Sequence, residues 1–188
     1  MNGLSSDEKT ILLIIARQSL NLAVGGKTIP PLDLPSLPAT LRELGSSFVT
    51  LTIQGALRGC IGSLVPMLPL AEDVREHAIA AALNDYRFSP VMPAELPDIN
   101  IEVSVLTVPK PLTYNDPEKL PVYLRPGIDG VVLKDGVRRA TFLPQVWEKL
   151  PDPVDFLSHL CLKMGASPNL WMHKKMIVEI YQVEEFQE

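Results

Sequence analysis

Phe48-Val-Thr-Leu-Thr-Ile-Gln-Gly-Ala-Leu-Arg-Gly-Cys-Ile-Gly-Ser-Leu64 is the stretch on which the fold turns. Val49, Leu51 and Ile53 alternate with Thr50 and Thr52, the period-two pattern of a half-buried strand. Gln54-Gly55 reads as a turn, and a second extended run follows through LRGCIG. If that run is a regular strand, Leu57, Gly59 and Ile61 share one face, and Arg58, Cys60 and Gly62 the other. Glycine in a strand marks a bulge or the close approach of another backbone or a ligand. The spacing therefore points to a shallow surface with a charge, a thiol and free space.

Elements of both kinds flank this stretch. Ser5 and Glu8 have capping-box spacing, Leu12, Ile15, Ser19 and Leu22 form a helical stripe, and Gly25-Gly26 ends it. Residues 27–40 hold four prolines and read as an extended arm. A helix is expected from Pro69 to Asn84, with a small-residue face at Val74, Ala78, Ala81 and Ala82. Ile101, Val103 and Val105 alternate with Glu102 and Ser104, giving a strand over 99–108. Asp135-Gly136 lies between two β-rich runs, the strongest hairpin signal in the chain. Short helices are expected after Pro144 and from Asp152 to Met164. A single closing strand is expected over 176–186. Strands and helices do not alternate regularly, which disfavours a doubly wound parallel sheet. The pattern predicts an α+β fold, a largely antiparallel sheet flanked by helices, with a second, smaller lobe.

Composition narrows the function classes. The chain has 188 residues, 46% of them hydrophobic, enough for one sizeable core. No apolar run is long enough to span a bilayer. The start, MNGLSSDEKT, lacks the features of a secretory signal, so a cytoplasmic location with two free thiols is expected. Net charge is −5 and the pI about 5.2, which argues against nonspecific nucleic-acid binding. His77, His159 and His173 are scattered and neither CxxC nor HExxH occurs, so no metal is expected. GxGxxG, GxxxxGK[ST] and GxSxG are also missing, and no cofactor is expected.

Cys60 is the one candidate nucleophile. A nearby cation lowers a thiol pKa, yet a catalytic cysteine also needs a base, and His77 reads as a flanking residue of its helix. A structural thiol outweighs the nucleophile. Cys161 falls on the inward face of its helix. Arg58 needs a partner if buried, and Glu102, a carboxylate on an otherwise apolar strand, is the expected one. That pair is either a plain salt bridge or a substrate anchor. In DYRFSP, Asp85 and Arg87 end a helix, where a cation complements the dipole or grips an anionic ligand. Trp147, Trp171 and Tyr181 read as core aromatics, since no basic residues interleave with them.

These blocks resemble the AMMECR family, whose prokaryotic members are called AmmeMemoRadiSam system protein A. The match runs through FVTLTIQGALRGCIGSL (48–64), AIAAALNDYRFSPVMPAEL (78–96), IEVSVLTVPKPL (101–112), GIDGVVLKDGVRRATFLPQVW (127–147), FLSHLCLKMG (156–165) and MIVEIYQVEEF (176–186). LRGCIG is the family's signature hexapeptide. The resemblance implies a single AMMECR-type domain over 1–188, two lobes, and a cleft near residues 57–62. Its matching positions give Arg58, Gly59, Gly62, Glu102, Asp85, Arg87 and Gln145 as ligand-binding candidates beside Cys60. It also implies neighbours, a Memo-like protein and a radical S-adenosylmethionine (SAM) protein. The expected function is a cytosolic accessory or ligand-binding protein. The alternative is an enzyme using Cys60 as nucleophile or acid/base on a small substrate.

Overall fold

The computed structural model describes residues 3–188. In chain order the helices are α1 (Ser6–Val24), α2 (Ala39–Arg42), α3 (Leu70–Leu83), α4 (Pro153–Lys163) and α5 (Leu170–His173). The strands are β1 (Leu44–Gly45), β2 (Ser47–Ile53), β3 (Ala56–Gly62), β4 (Leu68–Pro69), β5 (Ile99–Leu106), β6 (Lys110–Pro111), β7 (Gly130–Asp135), β8 (Arg138–Phe142), β9 (Ile177–Tyr181) and β10 (Val183–Gln187). The fold is α+β, with antiparallel pairing at β2–β3, β2–β5, β6–β9, β7–β8 and β7–β9. The chain divides into two compact units, residues 3–108 with 184–188, and residues 109–183. No helix among the described residues is long and apolar enough to cross a membrane.

In the first unit the sheet runs β10-β5-β2-β3. Val49, Leu51, Ile101 and Val103 all face one side, where α1 and α3 bury Leu12, Ala16, Leu20, Val74, Ala78 and Ala81 against them. The capping box forms as expected: Glu8 N–H donates to Ser5 Oγ at 3.2 Å, and Ser5 N–H to the Glu8 carboxylate at 2.8 Å. Gln54 and Gly55 both have positive φ (51° and 79°), the two-residue turn whose twist suits a hairpin. α3 needs its small residues because β3 comes very close. A Cβ on Gly59 would lie 2.1 Å from the Ala81 carbonyl oxygen.

In the second unit the sheet runs β6-β9-β7-β8. Val131, Leu133 and Val178 pack on Phe156, Leu157 and Leu160 of α4. Trp147 stacks on Phe156 with ring centroids 3.7 Å apart, and Phe142 meets Phe156 edge-on at 5.3 Å. Trp147, Trp171, Tyr181 and Cys161 are all buried, as the sequence predicts. Tyr114 closes this core: its hydroxyl donates to the Met176 carbonyl and accepts the Met176 N–H, both at 2.8 Å. Asp152 caps α4 by accepting from the amides of Val154 and Asp155.

Two expectations change. The closing strand is two strands: β9 belongs to the second unit's sheet and β10 to the first unit's. Alternation reports which face a side chain takes, not which strand its backbone bonds, so the break at Gln182 leaves no trace in the pattern. The second hairpin turns on Gly136-Val137, because Asp135 pairs with Arg138, and Gly136 supplies the positive φ of 60°.

Candidate functional site

The register of the β2–β3 hairpin decides which residues meet. Leu51 opposes Gly59 but Thr52 opposes Leu57, so Arg58 is the extra residue of a β-bulge. The expected face assignment is therefore corrected. Gly59 and Ile61 stay on the core side, Leu57 crosses to the side of Cys60, and Arg58 leaves the alternation.

Arg58 does not pair with Glu102. Its Nε and Nη2 donate to the two carboxylate oxygens of Glu95 at 2.7 and 3.0 Å, and its Nη1 donates to the Ser89 carbonyl at 3.0 Å. Glu95 also accepts the Met92 N–H at 2.7 Å. The Arg58 hydrogen bond, seconded by that of Met92, holds the Glu95 carboxyl below its ordinary range, and the same bond raises Arg58. Arg58 is thus a bidentate clip on the loop between α3 and β5.

Asp85 and Arg87 act together on the backbone of Cys60. Asp85 accepts the Cys60 N–H at 2.8 Å, and Arg87 Nη2 donates to the Cys60 carbonyl at 3.1 Å. Arg87 Nε and Nη2 also donate to Asp85 at 2.9 and 2.6 Å. Asp85 is buried, and the Arg87 hydrogen bonds outweigh burial to hold its carboxyl far below the usual carboxylate range. β3 is an outer strand, so these two side chains complete a ladder that has no further strand. Both arginines are thus engaged by groups of the protein itself.

The outward direction of the Cys60 amide and carbonyl makes Thr50–Cys60 a non-hydrogen-bonded pair, the closer of the two pair types. Thr50 Oγ1 accordingly donates to Cys60 Sγ at 3.3 Å. Thr50 in turn opposes Glu102 on β5. Cys60, Thr50 and Glu102 therefore form one row across three strands, on the face away from α1 and α3, and each is half-buried. Burial first, then the Glu185 charge and a hydrogen bond with Glu185, raise the Glu102 carboxyl above its ordinary value.

His77 belongs elsewhere. Its Nδ1 lies 3.1 Å from Asp73 Oδ2, and Ser47 Oγ donates to the same oxygen at 2.6 Å. Ser47 has the parity of Val49 and Leu51, so this cluster sits on the helix side of the sheet, opposite Cys60. Gly59 and Gly62 leave no room for a ligand through their missing side chains. The Ala81 carbonyl fills one position, and the Phe48 ring, 2.3 Å from an added Cβ, fills the other. Gln145 belongs to the 144–148 turn of the second unit. Thr50, Glu95 and Glu185 are the participants sequence reasoning missed. Thr50 alone left a signal, a hydroxyl at a polar position of an alternating strand. No group of three metal-ligating side chains occurs among the described residues.

A family model, AMMECR1, matches residues 13–186. The chain belongs to the AMMECR1 family. It is 41% identical to a protein of Methanothermobacter thermautotrophicus over 98% of this chain and 96% of that one. A Thermofilum pendens protein is 38% identical, covering 100% and 93%. The crystal structure of the uncharacterized protein PH0010 from Pyrococcus horikoshii matches with a TM-score of 0.89 at 33% identity, covering 98% of this chain and 93% of that one. The AMMECR1 assignment thus spans both units.

Proposed function

We propose that this AMMECR1-family chain is a cytosolic accessory protein that binds a small, polar or oxidised substrate on the Cys60–Thr50–Glu102 row. It works beside a Memo-like protein and a radical SAM protein. The observation that carries the reading is the row itself. A thiol, a hydroxyl and a carboxyl whose proton affinity is raised by burial stand side by side on strands fixed by Asp85, Arg87 and the Arg58–Glu95 clip. Preorganised side chains on a rigid sheet bind without an ordering cost. A protonated Glu102 would donate to a ligand oxygen. The acidic surroundings and the engaged arginines favour a neutral ligand over a strongly anionic one.

Alkylation with iodoacetamide at neutral pH tests the site. Cys60 reacting at an ordinary free-thiol rate while buried Cys161 stays protected is the expected result. No reaction at Cys60 in the folded chain would remove the binding face. A rate far above a free thiol would move the reading to catalysis by Cys60. Co-purification with the Memo-like protein supports the accessory role, and clean separation at high concentration overturns it.

A further inference from the structure

β8 is the outer strand of the second unit's sheet, and its free edge can be read from the hydrogen-bond alternation. Leu112 N–H donates to the Val178 carbonyl, so Val178 turns its backbone groups toward β6. Leu133, opposite Val178, therefore bonds Ala140 on β8, and the pairs Val132–Thr141 and Lys134–Arg139 are the non-bonded ones. The amides and carbonyls of Thr141 and Arg139 thus point away from β7. Lys163 Nζ meets the Thr141 carbonyl from that side at 2.9 Å. Among the described residues no backbone group meets the others.

The same edge is strongly basic. Arg138, Arg139, Lys163 and Lys174 lie on or beside it, against the carboxylate of Asp135. Arg138 and Lys174 converge on Asp135 at 2.5 and 2.7 Å, and Lys134 pairs with Glu179 at 2.7 Å. Arg139 is exposed, as is Val137 at the turn. A second copy of β8 laid along this edge would set arginine against arginine, which is unfavourable. An acidic extended chain meets both demands, pairing its backbone with Arg139 and Thr141 and its carboxylates with the cations. A long nucleic acid offers charge but no backbone ladder. It would also meet a chain of net charge −5.

We propose that the outer edge of β8 is a docking strand for an extended acidic segment of a partner protein. The segment's N–H displaces Lys163 from the Thr141 carbonyl, and its carboxylates lie over Arg138 and Arg139. The test uses the full chain and a dye-labelled peptide of about seven residues alternating Asp and Val, read by fluorescence anisotropy. Saturable binding is expected at about 50 mM salt, weakened severalfold at about 300 mM because exposed charges are screened. Methylating every second amide on the bonding side should weaken it about tenfold through the lost backbone bonds. Arg139→Glu, checked for an unchanged melting temperature, should weaken it severalfold; if that variant fails to fold, the methylated peptide still decides. Equal binding of the methylated peptide overturns the proposal, as does equal affinity for oligothymidine of matched charge. So does an absence of saturation by about 1 mM peptide, a range typical of weak interactions.

Discussion

The outer strands β3 and β8 solve one problem in opposite ways. Each ends a four-stranded sheet and so has unpaired backbone groups. β3 is closed from within its own unit. It is bulged at Arg58, and Asp85 and Arg87 take the amide and carbonyl of Cys60. β8 is guarded by charge, with Lys163 on one carbonyl and arginines along the strand. The units differ in the same sense. Residues 109–183 hold ten Lys and Arg against eight Asp and Glu, a net of +2, which leaves −7 of the chain's −5 to the first unit. Closing an edge with side chains of the same unit satisfies its backbone groups internally, beneath the Cys60–Thr50–Glu102 row. Guarding an edge with exposed cations leaves it able to pair.

The largest expected effect tests the tightness of the closed edge. Gly59→Ala puts a methyl 2.1 Å from the Ala81 carbonyl, a backbone atom that cannot step aside. A loss of about 3 kcal/mol is expected from such overpacking, read by urea unfolding. A loss below about 0.5 kcal/mol, the scale of ordinary surface changes, would mean that α3 and β3 have slack.

Asp85→Asn comes next. It leaves Arg87 without its carboxylate, at a cost of about 2 kcal/mol, discounted because Arg87 is partly exposed. The pH dependence distinguishes this from packing. Asp85 has a lowered folded pKa, so its contribution is present above the unfolded value and lost as pH falls through the folded one. Wild type should lose its advantage over Asp85→Asn in strong acid, and a constant gap down to about pH 2, well below the ordinary Asp pKa, would contradict the assignment.

Tyr114→Phe probes the second unit, away from either edge. It strands the Met176 amide and carbonyl and should cost about 1.5 kcal/mol, measured as a lowered denaturation midpoint. An unchanged midpoint would show that the hydroxyl is dispensable.

Glu102→Gln gives the smallest effect, and its sign is favourable. A raised folded pKa means folding binds a proton, so wild type is penalised as pH rises above the unfolded value near 4.3. The variant should be more stable than wild type at pH 7 and equal to it near pH 4. A loss of stability at pH 7 would mean that Glu102 is held as a carboxylate.

Much of the architecture is legible in the chain. Alternation at 49–53 and 101–105, the capping pair Ser5/Glu8 and the small face of α3 each report local geometry or burial, and each element forms where expected. The site was legible in part. Cys60 and Glu102 share a face, but Arg58 was assigned the wrong partner, since nothing marks Glu95 as the carboxylate that the loop after α3 delivers. The glycines of LRGCIG signalled a bulge or a close approach without placing it, and its place at Arg58 moves every facing beyond it by one.

The sequence by itself determined the family, the α+β class and the placement of the principal helices and core strands, because burial periodicity and capping are encoded over a few neighbouring residues. Tertiary structure alone decided register and pairing: that Arg58 meets Glu95, that Asp85 and Arg87 hold the Cys60 backbone, and that one closing run serves two sheets. Those outcomes depend on which distant segments bring their donors and acceptors within about 3 Å, a contact that no local pattern specifies.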